Sequence, residues 1–171
     1  MTIALVLGGA ACVFDDVEAA LSLGEFDGVV GANHIGIVWP GVMDGWVSLH
    51  GDKLKPWTAR RRFAGLPDHK ALFPHPGTPH RFPGQTMPGS SGLFALKVAL
   101  DDLGFDRAVL CGIPLDAAQN HFDTPGPWRP ASQYEIGWRQ ALPEIADRAR
   151  SLGGWTAELL GTPTADWIAG A

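Results

Sequence analysis

Apolar residues change their period several times along the chain, and each change predicts an element. Ile3–Leu7 is an unbroken aliphatic run that stops at Gly8-Gly9, the signature of a strand buried on both faces. Over Val13–Leu23 the residues Val13, Val17, Ala20 and Leu21 recur at helical spacing, and Gly24 reads as the stop. Residues 28–31 predict a second short strand, leading into the polar, glycine-flanked Ala32-Asn33-His34-Ile35-Gly36. Residues 46–50 predict a third, closing on Gly51-Asp52-Lys53. A basic helix over about 56–63 follows, its Arg60-Arg61-Arg62 run read as a solvated face.

Residues 67–89 are rich in proline and carry His69, His75 and His80. They predict a long surface excursion with a short strand at 71–73. Pro88-Gly89-Ser90-Ser91 prepares a helix start with a serine N-cap, and Gly104 ends that helix after Leu103. Its apolar residues Leu93, Phe94, Leu96, Val98, Ala99, Leu100 and Leu103 cover more than one stripe, which predicts a buried helix. A strand at 107–110 ends on Cys111-Gly112-Ile113-Pro114. The spacing of Trp138, Leu142, Ile145, Ala149 and Leu152 predicts helix over 134–152, interrupted at Pro143. The tail predicts a strand near Trp155 and a short helix at 164–168.

Strands alternating with helices predict one α/β domain over residues 1–171. The expected architecture is a three-layer, Rossmann-like parallel sheet with helices on both faces. In such sheets ligands bind at the carboxyl ends of the strands, near a switch in strand order. Four strand ends carry special residues: Gly8-Gly9, Asn33, His50 to Asp52, and Gly112 to Asp116.

Composition narrows this picture. The chain has 171 residues, enough for one sizeable core. Its net charge of -5 gives no general attraction to nucleic acid or anionic lipid. The first apolar run is too short to span a membrane. Cys12 and Cys111 lie in no metal-ligand spacing. A reduced, cytoplasmic protein is expected, with an oxidised Cys12–Cys111 pair left open. Trp39, Trp57, Trp128 and Trp155 read as core or loop anchors, with an acceptor cleft or a homo-oligomer interface as the alternatives.

The candidate chemistry follows from these positions. Gly8-Gly9-Ala10 lets a backbone approach a ligand and aims amides at it, or is simply a tight turn. Asn33 offers a donor and an acceptor for a base edge or a ribose hydroxyl, and is also a good turn residue. His34 is a base or a turn histidine. Ser90 and Ser91, with Gly92, form a helix start suited to a phosphate, one serine being the cap. His50, Asp52, His69, His75 and His80 supply imidazole and carboxylate in no standard metal spacing, so no metal ligand is assigned. His121, with Asp116, Asn120 and Asp123 near it in sequence, is the candidate general base.

From Ser90 to Asp116 the chain reads Ser-Ser-Gly-Leu-Phe-Ala, a helix, Leu-Gly-Phe, then Ala-Val-Leu-Cys-Gly-Ile-Pro-Leu-Asp. This block resembles the bacterial sialyltransferases of the Campylobacter type, and the motility accessory factor proteins with their relatives of unknown function, many of them phage-encoded. The resemblance implies a CMP-type nucleotide held by Gly8, Gly9, Ala10, Asn33, Ser90, Ser91, Gly92, Gly112 and Asp116. His121 would be catalytic, and no cofactor or essential metal would be required. Where those enzymes carry an Asn in the first loop this chain has Gly9, and Tyr134 is its only tyrosine to set against those that hold the donor phosphate. The implied activity is transfer of a sugar from a nucleotide donor to an acceptor hydroxyl. Two alternatives stand beside it: a nucleotide-binding or phage accessory protein without catalysis, and a phosphoryl or nucleotidyl transferase using a metal gathered by His50, Asp52 and the histidine-rich excursion.

Overall fold

The computed structural model describes residues 1–124, 126 and 130–170. Six strands form one wholly parallel sheet: β1 (Ile3–Leu7), β2 (Gly28–Ala32), β3 (Gly45–Ser48), β4 (Ala71–Pro74), β5 (Arg107–Cys111) and β6 (Ala149–Ser151). Their order across the sheet is β4-β3-β2-β1-β5-β6, so β1 is central. The helices are α1 (Val13–Leu23), α2 (Ile35–Val38), α3 (Gly51–Phe63), α4 (Ser91–Lys97), α5 (Glu135–Ile145), α6 (Gly154–Leu160) and α7 (Ala165–Ala169).

The unbroken apolar run of β1 serves two cores at once, because successive side chains point to opposite faces. Ala4 and Val6 join Leu93, Phe94, Trp138 and Ile145 under α4 and α5. Ile3, Leu5 and Leu7 join Val13, Val17 and Ile168 under α1 and α7. A smaller cluster on this second side packs Trp46 of β3 against Ile37 of α2 and Leu54 and Trp57 of α3. Three layers result, the Rossmann-like α/β arrangement. Among the described residues no helix is long and apolar enough to cross a membrane.

Several local expectations are corrected. Helix α3 starts at Gly51, ahead of Pro56, so Gly51-Asp52-Lys53 is its first turn. Pro56 removes only one amide from the ladder, a loss the packing of Leu54 and Trp57 outweighs. Within the arginine run Arg61 is fully buried. Its Nε donates to the Pro67 carbonyl at 2.6 Å and its guanidinium nitrogens to the carbonyls of Gly36, Trp39 and Gly41 at 2.9, 2.7 and 2.6 Å. It clamps the turn after α2 to α3, while Arg62 pairs with Asp68 at the surface.

The helix expected over 134–152 is instead a 3-10 turn (Ala131–Tyr134), α5 with Pro143 inside it, and then β6. Ala149 pairs with Ala108 of β5, so ladder bonds outweigh the helical spacing there. Trp155 lies in helix α6, where a strand was expected. Gly24 is extended (φ 169°), so no left-handed turn requires it. A Cβ there would meet Ile168 Cγ2 at 2.6 Å, and close packing of α7 is its reason. The buried helix from Ser91 closes on a π-helical turn, Val98–Asp102, before Gly104 at φ +75°. Of the excursion, Phe82 and Gln85 are buried and anchor it.

Candidate functional site

Strands β1 and β5 are neighbours, with Leu7 opposite Cys111, but the chain leaves them for opposite halves of the sheet. A crevice must open between their carboxyl ends. Glycines let the two ends approach: a Cβ on Gly8 would sit 2.3 Å from the Gly112 carbonyl oxygen, and one on Gly112, at φ +67°, 2.5 Å from Val13 Cβ. Gly8 N–H donates to the Cys111 carbonyl at 2.8 Å and Ala10 N–H to the Gly112 carbonyl at 3.1 Å. Those amides are therefore spent within the protein, and the first loop is no open anion cradle. Asp16 of α1 ties down the other side, accepting from Gly112 N–H at 2.7 Å and from the Cys12 thiol at 3.3 Å. Nothing in the local sequence pattern marked Asp16. Cys12 and Cys111 are both free thiols.

Above the crevice lies a cavity of about 490 Å³. Gly8, Gly9, Ala10, Asn33, Ser90, Ser91, Gly92, Gly112, Asp116 and His121 all line it, together with His34, Leu115 and Gln119. Among the described residues the non-glycine positions with positive φ, Asn33 (56°) and Leu115 (49°), are both in its wall. Asn tolerates that region; for Leu it is strained, and such strain concentrates at functional sites.

Asn33 is more narrowly specified than its side chain alone implies. Ser48 Oγ accepts from the His50 amide at 2.9 Å and donates to Asn33 Oδ1, also at 2.9 Å. In this orientation Asn33 Nδ2 is the donor turned away from Ser48. The Asn33 carbonyl accepts from the Trp46 indole at 2.7 Å. Ser48 was missed because the strand expected over 46–50 placed it mid-strand, whereas β3 ends at Ser48 and the β2–β3 pairing brings it to Asn33.

At the start of α4, Ser90 takes the N-cap place, but its hydroxyl makes no cap bond and receives the Trp138 indole N–H at 3.3 Å. Ser91 is half-buried in the cavity wall. Gly92 makes room for protein: a Cβ there would meet Ile113 Cγ2 at 2.7 Å.

The segment after β5 folds back over the first loop through an antiparallel bridge between Ala10 and His121. Ala11 N–H donates to the Asn120 carbonyl at 2.8 Å and Phe122 N–H to the Gly9 carbonyl at 2.9 Å. The His121 ring stacks on Phe122, centroids 4.7 Å apart. A Cβ on Gly9 would lie 2.6 Å from His121 Nε2, so no larger residue fits beneath this imidazole.

His121 Nδ1 lies 2.6 Å from Asp123 Oδ1, and His34 Nδ1 lies 3.3 Å from Asp123 Oδ2. The Asp123 amide is also 3.3 Å from His121 Nδ1. One nitrogen cannot donate and accept at once, and the shorter carboxylate contact sets the proton on Nδ1. In neutral His121, Nε2 then carries the free lone pair. Burial acts to raise the Asp123 pKa, but the Thr124 hydroxyl bond and the two imidazoles outweigh it and hold this carboxyl below its ordinary value. Burial holds His34 below its ordinary value, with Asp123 opposing. His34 also packs edge-on against Trp57 at 4.9 Å.

The other histidines do not join this site. His50 precedes α3 and Asp52 lies in its first turn, both away from the cavity lining. His75 and His80 pair with each other at 4.1 Å, and His69 packs on Trp46. Among the described residues the group with metal-ligand proximity is His34, His121 and Asp123, so the ligand set suggested around His50 and Asp52 is not assembled. Of the tryptophans, Trp57 stacks on Trp46 and Trp155 packs under Arg139; Trp128 lies outside the described residues. Comparison of the chain with protein-family models, with curated proteins and with solved structures gives no match in any of the three.

Proposed function

We propose that the chain binds a nucleotide-sugar donor of the CMP type in the cavity between the β1 and β5 ends and transfers the sugar to an acceptor hydroxyl, as a sialyltransferase-like protein. The observation that carries this reading is the 2.6 Å contact between Asp123 and His121 Nδ1 in a cavity wall, which leaves Nε2 as a base. The cavity volume of about 490 Å³ is in the range of small-molecule sites. The resemblance of the block from Ser90 to Asp116 supports the nucleotide. Asn33, as a donor, suits the acceptor edge of a cytosine.

In the reaction the acceptor hydroxyl gives its proton to His121 Nε2 and its oxygen bonds to the anomeric carbon. The bond from that carbon to the phosphate oxygen breaks, and the electron pair departs with the nucleoside monophosphate. The Ser91 hydroxyl and the first amides of α4 meet the developing phosphate charge. Asp123 stabilises the imidazolium. The free thiols of Cys12 and Cys111 suit a reducing, cytoplasmic setting.

Thermal unfolding with CMP, other nucleoside monophosphates and a CMP-linked sugar tests the reading. At a hundred times its Kd a ligand adds about 2.7 kcal/mol, or roughly 5–10 °C in Tm for a chain of this size. CMP is expected to give such a shift. No response to any nucleotide would sink the proposal, and binding with no turnover on any acceptor would leave a nucleotide-binding protein without catalysis.

A further inference from the structure

The residues around Asp123 have a second capacity. One ligand atom from each of His34, His121 and Asp123 lies within 4.8 Å of the others. Two imidazoles and a single carboxylate favour zinc-class ions over magnesium or calcium, which prefer all-oxygen shells. Three protein ligands with a fourth position open is the arrangement of catalytic rather than structural zinc.

The geometry needs little adjustment. A tetrahedral ion with bonds of about 2.1 Å holds its ligand atoms about 3.4 Å apart. His34 Nδ1 stands 3.3 Å from Asp123 Oδ2 and His121 Nδ1 2.6 Å from Asp123 Oδ1, so a turn of the carboxylate and a widening of the His121 contact by about 0.8 Å bring one oxygen and both rings to one ion. Both rings are held in orientation from outside the cluster, His34 by Trp57 and His121 by Phe122. The three residues come from different strand ends, His34 after β2 and the others after β5, so the folded chain assembles the set.

We propose that His34, His121 and Asp123 bind one divalent ion of the zinc class through two imidazole nitrogens and a carboxylate oxygen, with the open position towards the cavity. The ion and the transfer reaction then compete for the same groups. A metal on His121 Nδ1 displaces the Asp123 contact that holds the ring as a base, so bound zinc suppresses transfer. Binding of the ion stands independently of the glycosyl-transfer reading; the suppression rests on it.

The test uses the full chain stripped with a chelator, then titrated with zinc against a chromophoric competitor and with cobalt(II) followed by its visible spectrum. One ion per chain is expected, with the intense bands of four-coordinate cobalt. His34→Gln and Asp123→Asn should each weaken zinc binding at least tenfold with unchanged circular dichroism, while His75→Ala leaves it unaltered. No saturable binding would overturn the proposal. So would binding indifferent to His34→Gln and Asp123→Asn, or binding lost in His75→Ala. Zinc binding without any nucleotide response would leave the metal site standing and remove the transfer reading. A nucleotide response without zinc binding would do the reverse. Where both hold, added zinc should abolish turnover of a CMP-linked sugar and chelator should restore it.

Discussion

The ends of β1 and β3 read alike in sequence: a strand, then glycine, then residues able to hold a ligand. In the structure Gly8-Gly9 borders the cavity, whereas His50-Gly51-Asp52 opens an ordinary helix. Their place in the sheet separates them. The β1 end lies beside β5, where the chain diverges to opposite halves of the sheet. The β3 end lies between β2 and β4, whose connections continue in one direction and leave no crevice. A motif becomes a site through its neighbours across the sheet, and those are set by crossovers far away in sequence.

The largest expected effect breaks this contrast at the level of chemistry. His121→Ala should lower transfer by about 10²–10⁴-fold with nucleotide binding retained, the usual contribution of a general base. His50→Ala should leave turnover within about twofold, because its imidazole is outside the cavity and its amide still reaches Ser48. Initial rates with a CMP-linked sugar check both, and equal losses would erase the distinction.

On the β3 side the corresponding effect is one of stability. Arg61→Ala strands the carbonyls of Gly36, Trp39, Gly41 and Pro67, and should cost about 3 kcal/mol in urea unfolding. Arg62→Ala, one residue on, should leave the midpoint unchanged. Smaller again, Gly8→Ala must move the β1 end away from the Gly112 carbonyl and should cost about 1–3 kcal/mol. It should also weaken the CMP shift, whereas Gly51→Ala, whose Cβ would press on the His75 carbonyl at 2.7 Å, should lower Tm and leave that shift intact.

The last effect reads the wall under the first loop. Burial, the charge of Asp16 and its hydrogen bond push the Cys12 thiol up to about 12. A thiol with so high a pKa is almost wholly protonated at pH 8, so iodoacetamide should react with Cys12 two to three orders of magnitude more slowly in the native protein than in urea, about 10²–10³-fold. Reactivity should climb about tenfold per pH unit up to about pH 12, well past the point where an ordinary thiol levels off. Asp16→Asn should restore part of it, since burial remains.

Much of the sheet was readable because its signals are local. The aliphatic run of β1 and the glycine-bounded α1 need no partner to be recognised. Residues that need a partner were misread: Arg61 finds its carbonyls only once α2 lies on α3, and Ala149 pairs in β6 only because Ala108 is beside it. The cavity residues were legible as glycines, serines and an asparagine at strand and helix ends. The pairing of His34 with Asp123 was not, since nothing in either segment records that the β2 and β5 ends converge.

The bridge between Ala10 and His121 has a consequence for how this fold can vary. A side chain carried on a long connection ordinarily drifts with every insertion in it. Here the imidazole is hung from two supports, its own chain and the backbone of Gly9 and Ala11. Its position is therefore referred to the centre of the sheet. An insertion further along the connection can thus leave the His121 ring where the first strand holds it.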